Sequence, residues 1–180
     1  QCLCAILHTG LQQDPANKII PSNRLLELRG LTPQQWQRML ICADDEFVRN
    51  YVDIGVERLL LVTPNIDTSK ILRYKPYMQK AEGELERTKI ETSNFFAKSR
   101  YENAKEEEED TIKQITTMLA NAKVLLKQKR FSLLHLSQIY QIIRFEDYDE
   151  DRLLVILRRM RLLKFARRMV HILSEYLYLE

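Results

Sequence analysis

A chain of 180 residues with a net charge of only +3 has no global bias toward polyanions, which argues against a domain whose whole surface binds nucleic acid but leaves room for a locally basic face. Its 45% apolar and 29% charged residues are the balance of a folded globular protein rather than a disordered one. Four glycines, five prolines and scarce strand-like alternation predict an all-α fold.

Cys2, Cys4 and Cys42 are spaced neither as a disulfide framework nor as a zinc site, and point to a reducing, intracellular compartment, cytoplasmic or nuclear; Cys2 and Cys4, with His8 as only a third ligand for a soft metal, read instead as small buried hydrophobes. The longest apolar runs, Leu59 to Val62 and Leu153 to Leu157, fall well short of the ~18 to 20 residues of a membrane span. The chain starts without Met, and we read it as a piece of a longer protein.

In chain order, Leu3, Ile6, Leu7 and Leu11 recur at three- and four-residue steps and predict a short amphipathic helix ending before Asp14-Pro15, weakened by Gly10. Asn23 to Arg29 reads as a short helix or extended piece closed by Gly30. Thr32-Pro33 with Gln35 forms a capping-box start for a helix that buries Trp36, Met39 and Leu40. Asp44-Asp45-Glu46 reads as a second start, its carboxylates facing unpaired helix N–H groups. The stripe Val48, Val52, Gly55, Leu59, Val62 continues from there, helix being preferred to strand over Val56 to Val62. Asp67-Thr68-Ser69 offers caps for a helix through Ile71, Leu72 and Tyr74, restarted or kinked at Pro76.

Between Pro76 and Lys129 there is no proline and one glycine, Gly83, in a sequence rich in Glu, Lys, Ala, Gln and Leu. This predicts a single long helix of about 80 Å. Met78, Ala81, Leu85, Thr88, Thr92, Phe95 and Ser99 occupy a and d positions of a weak coiled-coil seam. The stripe lapses at Lys105 to Asp110, which is either a hairpin turn or, as we prefer, a solvated stretch of rod. It resumes at Ile112, Ile115, Leu119, Ala122 and Leu126. Leu133, Leu136, Ile139, Tyr140 and Ile143 mark a further helix. A last helix, capped by Asp149, runs to about Tyr178 with an apolar arc close to 200° wide, more than a helix resting on one core requires. The organisation is an N-terminal helical module (1–72), a long charged helix (73–130) and a C-terminal helical module (131–180).

The sharpest surface feature is the basic set Arg158, Arg161, Lys164 and Arg168, with Arg167 beside it. These cations suit phosphates of a nucleic acid, anionic lipid, an acidic protein or plain solvent. Glu146, Asp147, Asp149, Glu150 and Asp151 lack the glycine of a calcium loop and read as a helix cap. His8, His135 and His171 are scattered, and no nucleophile, phosphate loop or metal-binding helix motif accompanies them. No catalytic residue, cofactor, metal or small-molecule substrate is therefore expected. The reading is a non-enzymatic scaffold subunit that binds other protein chains, itself or others, through helix–helix contact. Leu85, Phe95, Phe96, Tyr101, Leu162, Phe165, Met169 and Leu173 are its expected partner-facing residues. The alternative is a nucleic-acid-associated module using Arg158, Arg161, Lys164 and Arg168. Peripheral membrane attachment through the same helix ranks below both.

Overall fold

The computed structural model describes residues 1–14, 20–62, 83–105 and 109–179. Among these residues the chain is all-α, with α1 (Cys2–Leu11), α2 (Ser22–Gly30), α3 (Pro33–Asp45), α4 (Arg49–Val62), α5 (Phe95–Lys105), α6 (Asp110–Lys127), α7 (Leu133–Phe145), α8 (Glu150–Arg159) and α9 (Leu163–Leu177). The helix expected around Ile71 to Tyr74 lies outside the described residues. Backbone contacts divide the chain into two compact units, Gln1–Glu82 with Tyr176–Tyr178, and Gly83–Glu175 with Leu179–Glu180.

In the first unit α1 is buried along Ala5–Leu11 and packs chiefly on α4, whose Val48, Val52, Val56 and Leu59 line or lead into the facing stripe. Each such aliphatic side chain contributes about 1.5–3 kcal/mol on leaving water. Gly10 and Gly55 set the crossing. A Cβ on Gly10 would run into the Tyr51 carbonyl, and one on Gly55 into the Ile6 carbonyl, so the backbones meet where no side chain fits. Gly10 therefore reflects close packing rather than a weak helix. The Arg58 guanidinium donates to the carbonyls of Thr9 (2.8 Å) and Gln12 (2.7 Å), covering the end of α1 with a cation from α4. α3 begins with the capping box expected of Thr32 and Gln35.

The second unit is built around α6, which packs on α7 and α8, while α5 packs on α8. The predicted long helix does not form here. Residues 83–94 are non-helical, and the reason is tertiary. Asn121, 1% exposed on α6, accepts from the Glu91 N–H (2.8 Å) and donates to the carbonyls of Glu86 (3.0 Å) and Lys89 (2.9 Å). Gln138 accepts from the Leu85 N–H (2.9 Å), and His135 reaches the Gly83 carbonyl at 3.2 Å. Leu85 and Ile90 are buried. Side-chain amides and apolar contact thus supply what the helix ladder would have supplied, and propensity, a weak prior, yields. The heptad seam loses its basis over Leu85, Thr88 and Thr92. A break also falls at Glu109, which is extended (φ −60°, ψ 148°) and precedes α6, whereas a continuous rod would have kept it helical. The rest of the acidic run, residues 106–108, lies outside the described residues.

The last helix, read as one, is two. α8 ends in a Schellman turn in which Leu162 N–H donates to the Leu157 carbonyl (2.8 Å) and Arg161 N–H to the Arg158 carbonyl (3.0 Å), with Arg161 at φ 56°. The same bonding ends α3 at Phe47 (φ 60°) and α6 at Lys129 (φ 57°). None of these left-handed positions holds glycine. Asp44–Glu46 accordingly lies at the end of α3 rather than at the start of α4, where Arg49 pairs with Asp44 (3.3 Å) and Asp53 (2.7 Å). Asp149 does cap α8, accepting from Arg152 N–H at 3.1 Å.

Candidate functional site

Splitting the last helix changes what its apolar residues do. Leu153, Ile156, Leu157 and Met160 form one buried stripe on α8. Leu162, Ala166, Met169, Leu173 and Leu177 form another along α9. The 200° arc was the superposition of two narrower stripes in different helices. Of the expected partner-facing residues, Leu85, Tyr101, Leu162, Met169 and Leu173 are buried in the chain's own fold and present no surface, and Phe165 is only partly exposed. The Tyr101 hydroxyl is hydrogen-bonded to Thr117 Oγ1 inside the second unit.

Phe95 and Phe96 are the exceptions, 76% and 74% exposed at the first turn of α5. Their rings meet edge to face, with centroids 6.0 Å apart and planes at 76°. Asn94 fixes the turn that presents them: its Oδ1 accepts from the Ala97 N–H at 3.2 Å, and its own N–H donates to Thr92 Oγ1 at 3.2 Å. With Tyr101 anchoring the helix from the buried side, the pair stands outward on a fixed element. Isolated apolar residues on a surface are ordinary, but adjacent aromatic rings this open are not.

Two cavities open on the second unit. One, about 510 Å³, is lined by Leu153, Leu154, Leu157, Leu163, Ala166 and Val170 of α8 and α9. Tyr148 stands at the same cleft, where burial, and after it the Glu150 carboxylate, pushes its hydroxyl above the ordinary value. The other, about 250 Å³, lies between the segment before α5, α5 itself, α6 and the α8–α9 turn, with Arg100, Lys123, Lys127 and Arg161 on its wall.

Arg158, Arg161, Lys164 and Arg168 are all exposed, as are Arg159 and Arg167, and none of the six is paired with a carboxylate among the described residues. The turn at Arg161 divides them between the end of α8 and the first turns of α9. They are therefore not one face of one helix.

His135 is a packing histidine: Nδ1 accepts from Ser132 N–H (3.1 Å), which leaves Nε2–H for the Gly83 carbonyl. The cysteines are free, and burial pushes the thiols of Cys2, Cys4 and Cys42 upward, away from the reactive thiolate. Among the described residues no group of three or more His, Cys, Asp or Glu side chains gathers as a metal site, and no helix is long and apolar enough to cross a membrane. Compared with protein-family models, curated proteins and solved structures, the chain matches none.

Sequence reading missed the left-handed turns, the amide clamp and the cationic cavity. Only the last carried a signal, the four-residue spacing of Lys123 and Lys127 on α6.

Proposed function

We propose that this chain is a non-enzymatic subunit that binds another protein chain, with Phe95 and Phe96 on α5 as the anchor. The observation that carries the reading is the exposure of these two edge-to-face rings on a helix whose other side is held by Tyr101. Aromatic side chains dominate protein interfaces because they bury large area at the cost of few rotamers. Covering both rings contributes roughly 3–6 kcal/mol, from about 1.5–3 kcal/mol for each. The apolar cleft between α8 and α9 is a second surface of the same character. The test is double replacement of Phe95 and Phe96 by Ser, followed by co-sedimentation with a partner or with itself. The expected result is an affinity loss of roughly a hundredfold or more, with unchanged circular dichroism and melting. Equal association of variant and parent would remove the reading.

A second reading has its own support: six exposed cations around the α8–α9 turn without a paired carboxylate among the described residues. They would engage phosphates of a nucleic acid without sequence preference. In a filter-binding titration with duplex DNA, Arg161, Lys164 and Arg168 replaced together by Glu should abolish retention and flatten the salt dependence by about 0.9 per lost phosphate contact. Indifference to the substitutions would dismiss it.

A further inference from the structure

We propose that the 250 Å³ cavity walled by α5, α6 and the α8–α9 turn is a binding site for the phosphate group of a small phosphorylated molecule. This inference is separate from the docking reading and shares only Arg161 with the basic face. Four cations reach the wall from three elements: Arg100 from α5, Lys123 and Lys127 from α6, and Arg161 from the turn. Among the described residues none that lines the cavity is acidic, and apart from the four cations, Thr92 and Asn94 the described wall is apolar. Four like charges around a small hollow repel one another, and an oxyanion is the species that relieves this.

The finer polarity of the wall agrees. Arg100 Nε is buried and has no acceptor among the described residues. Leaving a buried donor unmet is unfavourable, and such atoms call for a partner. Thr92 Oγ1 already accepts from Asn94 N–H, and Asn94 Oδ1 already accepts from Ala97 N–H, so the Thr92 hydroxyl proton and the Asn94 amide protons are left to donate. Among the described residues, every polar side chain at the wall thus has a donor to give. The cavity is somewhat smaller than the roughly 300–1,000 Å³ that encloses a drug-sized ligand, which suits a phosphate headpiece whose remainder extends into solvent. Arg161 is placed for this by the left-handed turn that breaks the last helix, since in a continuous helix its position relative to α6 would differ.

The test is calorimetric titration of the full chain with inorganic phosphate and with pyrophosphate, repeated on Arg100→Gln, Lys127→Gln and Arg168→Gln. Arg168 is cationic and on α9 but is not on the cavity wall, which makes it the control. The expected result is saturable binding of at least one of the two anions, weakened about tenfold or more by Arg100→Gln and by Lys127→Gln and unchanged by Arg168→Gln. Lys127 is exposed, so Lys127→Gln keeps the test decisive if Arg100→Gln fails to fold. Absence of saturable heat with both anions overturns the proposal. Equal weakening by all three substitutions also overturns it, because that pattern belongs to diffuse attraction. Binding of duplex DNA that resists competition by pyrophosphate, with neither small anion bound, assigns the cations to the basic face instead and overturns it as well. None of these outcomes bears on Phe95 and Phe96.

Discussion

Replacing Asn121 by Ala removes the clamp that holds residues 83–94 out of the helix their composition favours. Three hydrogen bonds disappear together, to Glu91 N–H at 2.8 Å and to the Glu86 and Lys89 carbonyls at 3.0 and 2.9 Å. At about 1 kcal/mol net for each, the loss is about 3 kcal/mol. The three backbone groups sit at partly buried positions where water can replace some of the bonding, so the unmet-group penalty does not add in full. About 3 kcal/mol corresponds to a fall of roughly 6–12 °C in melting temperature for a chain of this length. Asn121→Asp sharpens the test, because it is nearly isosteric. It keeps the acceptor for Glu91 N–H but sets a carboxylate oxygen against two carbonyl oxygens, so it should destabilise at least as much as Ala. Urea unfolding gives the stability, and hydrogen exchange at the Glu91 amide gives the local opening. An Asn121→Ala loss below about 0.5 kcal/mol, within the range of ordinary surface substitutions, or an Asn121→Asp protein as stable as the parent, would refute the reasoning.

Other substitutions separate the remaining interactions. Gly55→Ala forces a methyl into the Ile6 carbonyl and should cost about 2 kcal/mol or more in thermal unfolding, whereas Gly30→Ala, which meets nothing, should be neutral or slightly stabilising. Lys129→Gly relieves a left-handed residue at φ 57° and should raise stability by about 0.5–1 kcal/mol, with the midpoint in urea as readout. Arg58→Met leaves the Thr9 and Gln12 carbonyls without their shared donor and should cost about 1–3 kcal/mol, seen as faster hydrogen exchange at the end of α1.

Local chemistry made much of the fold legible. The Thr32 capping box, the stripe of α4, the helix from Leu133 and the Asp149 cap each rest on contacts between residues a few positions apart, and periodicity reports such contacts directly. The two large failures have one origin, which is that the stopping signals were not local. Residues 83–94 carry no proline and are held out of a helix by Asn121, Gln138 and His135, about 30 to 55 positions away in the chain. The helix ends at Phe47, Lys129 and Arg161 use left-handed residues other than glycine, so the sequence carries no break there. Fusing α8 to α9 then inflated the apolar arc and moved Leu162, Met169 and Leu173 from core to presumed interface. Phe95 and Phe96 survive as surface candidates because their exposure does not depend on that wheel. The cationic cavity gathers residues from segments over 60 positions apart in sequence, Arg100 to Arg161, and no one-dimensional pattern assembles it.

The central claim, that α5 docks another protein chain, is tested most directly by placing a benzoyl-phenylalanine photocrosslinker at Phe95 in the chain expressed in its native cell. The same probe at Asp53, an exposed site in the other unit, is the control. The account predicts one discrete adduct from Phe95 and none from Asp53, with the yield from Phe95 falling when Phe96 is changed to Ser. Irradiation that gives no discrete adduct at Phe95, or the same adducts at both positions, contradicts it.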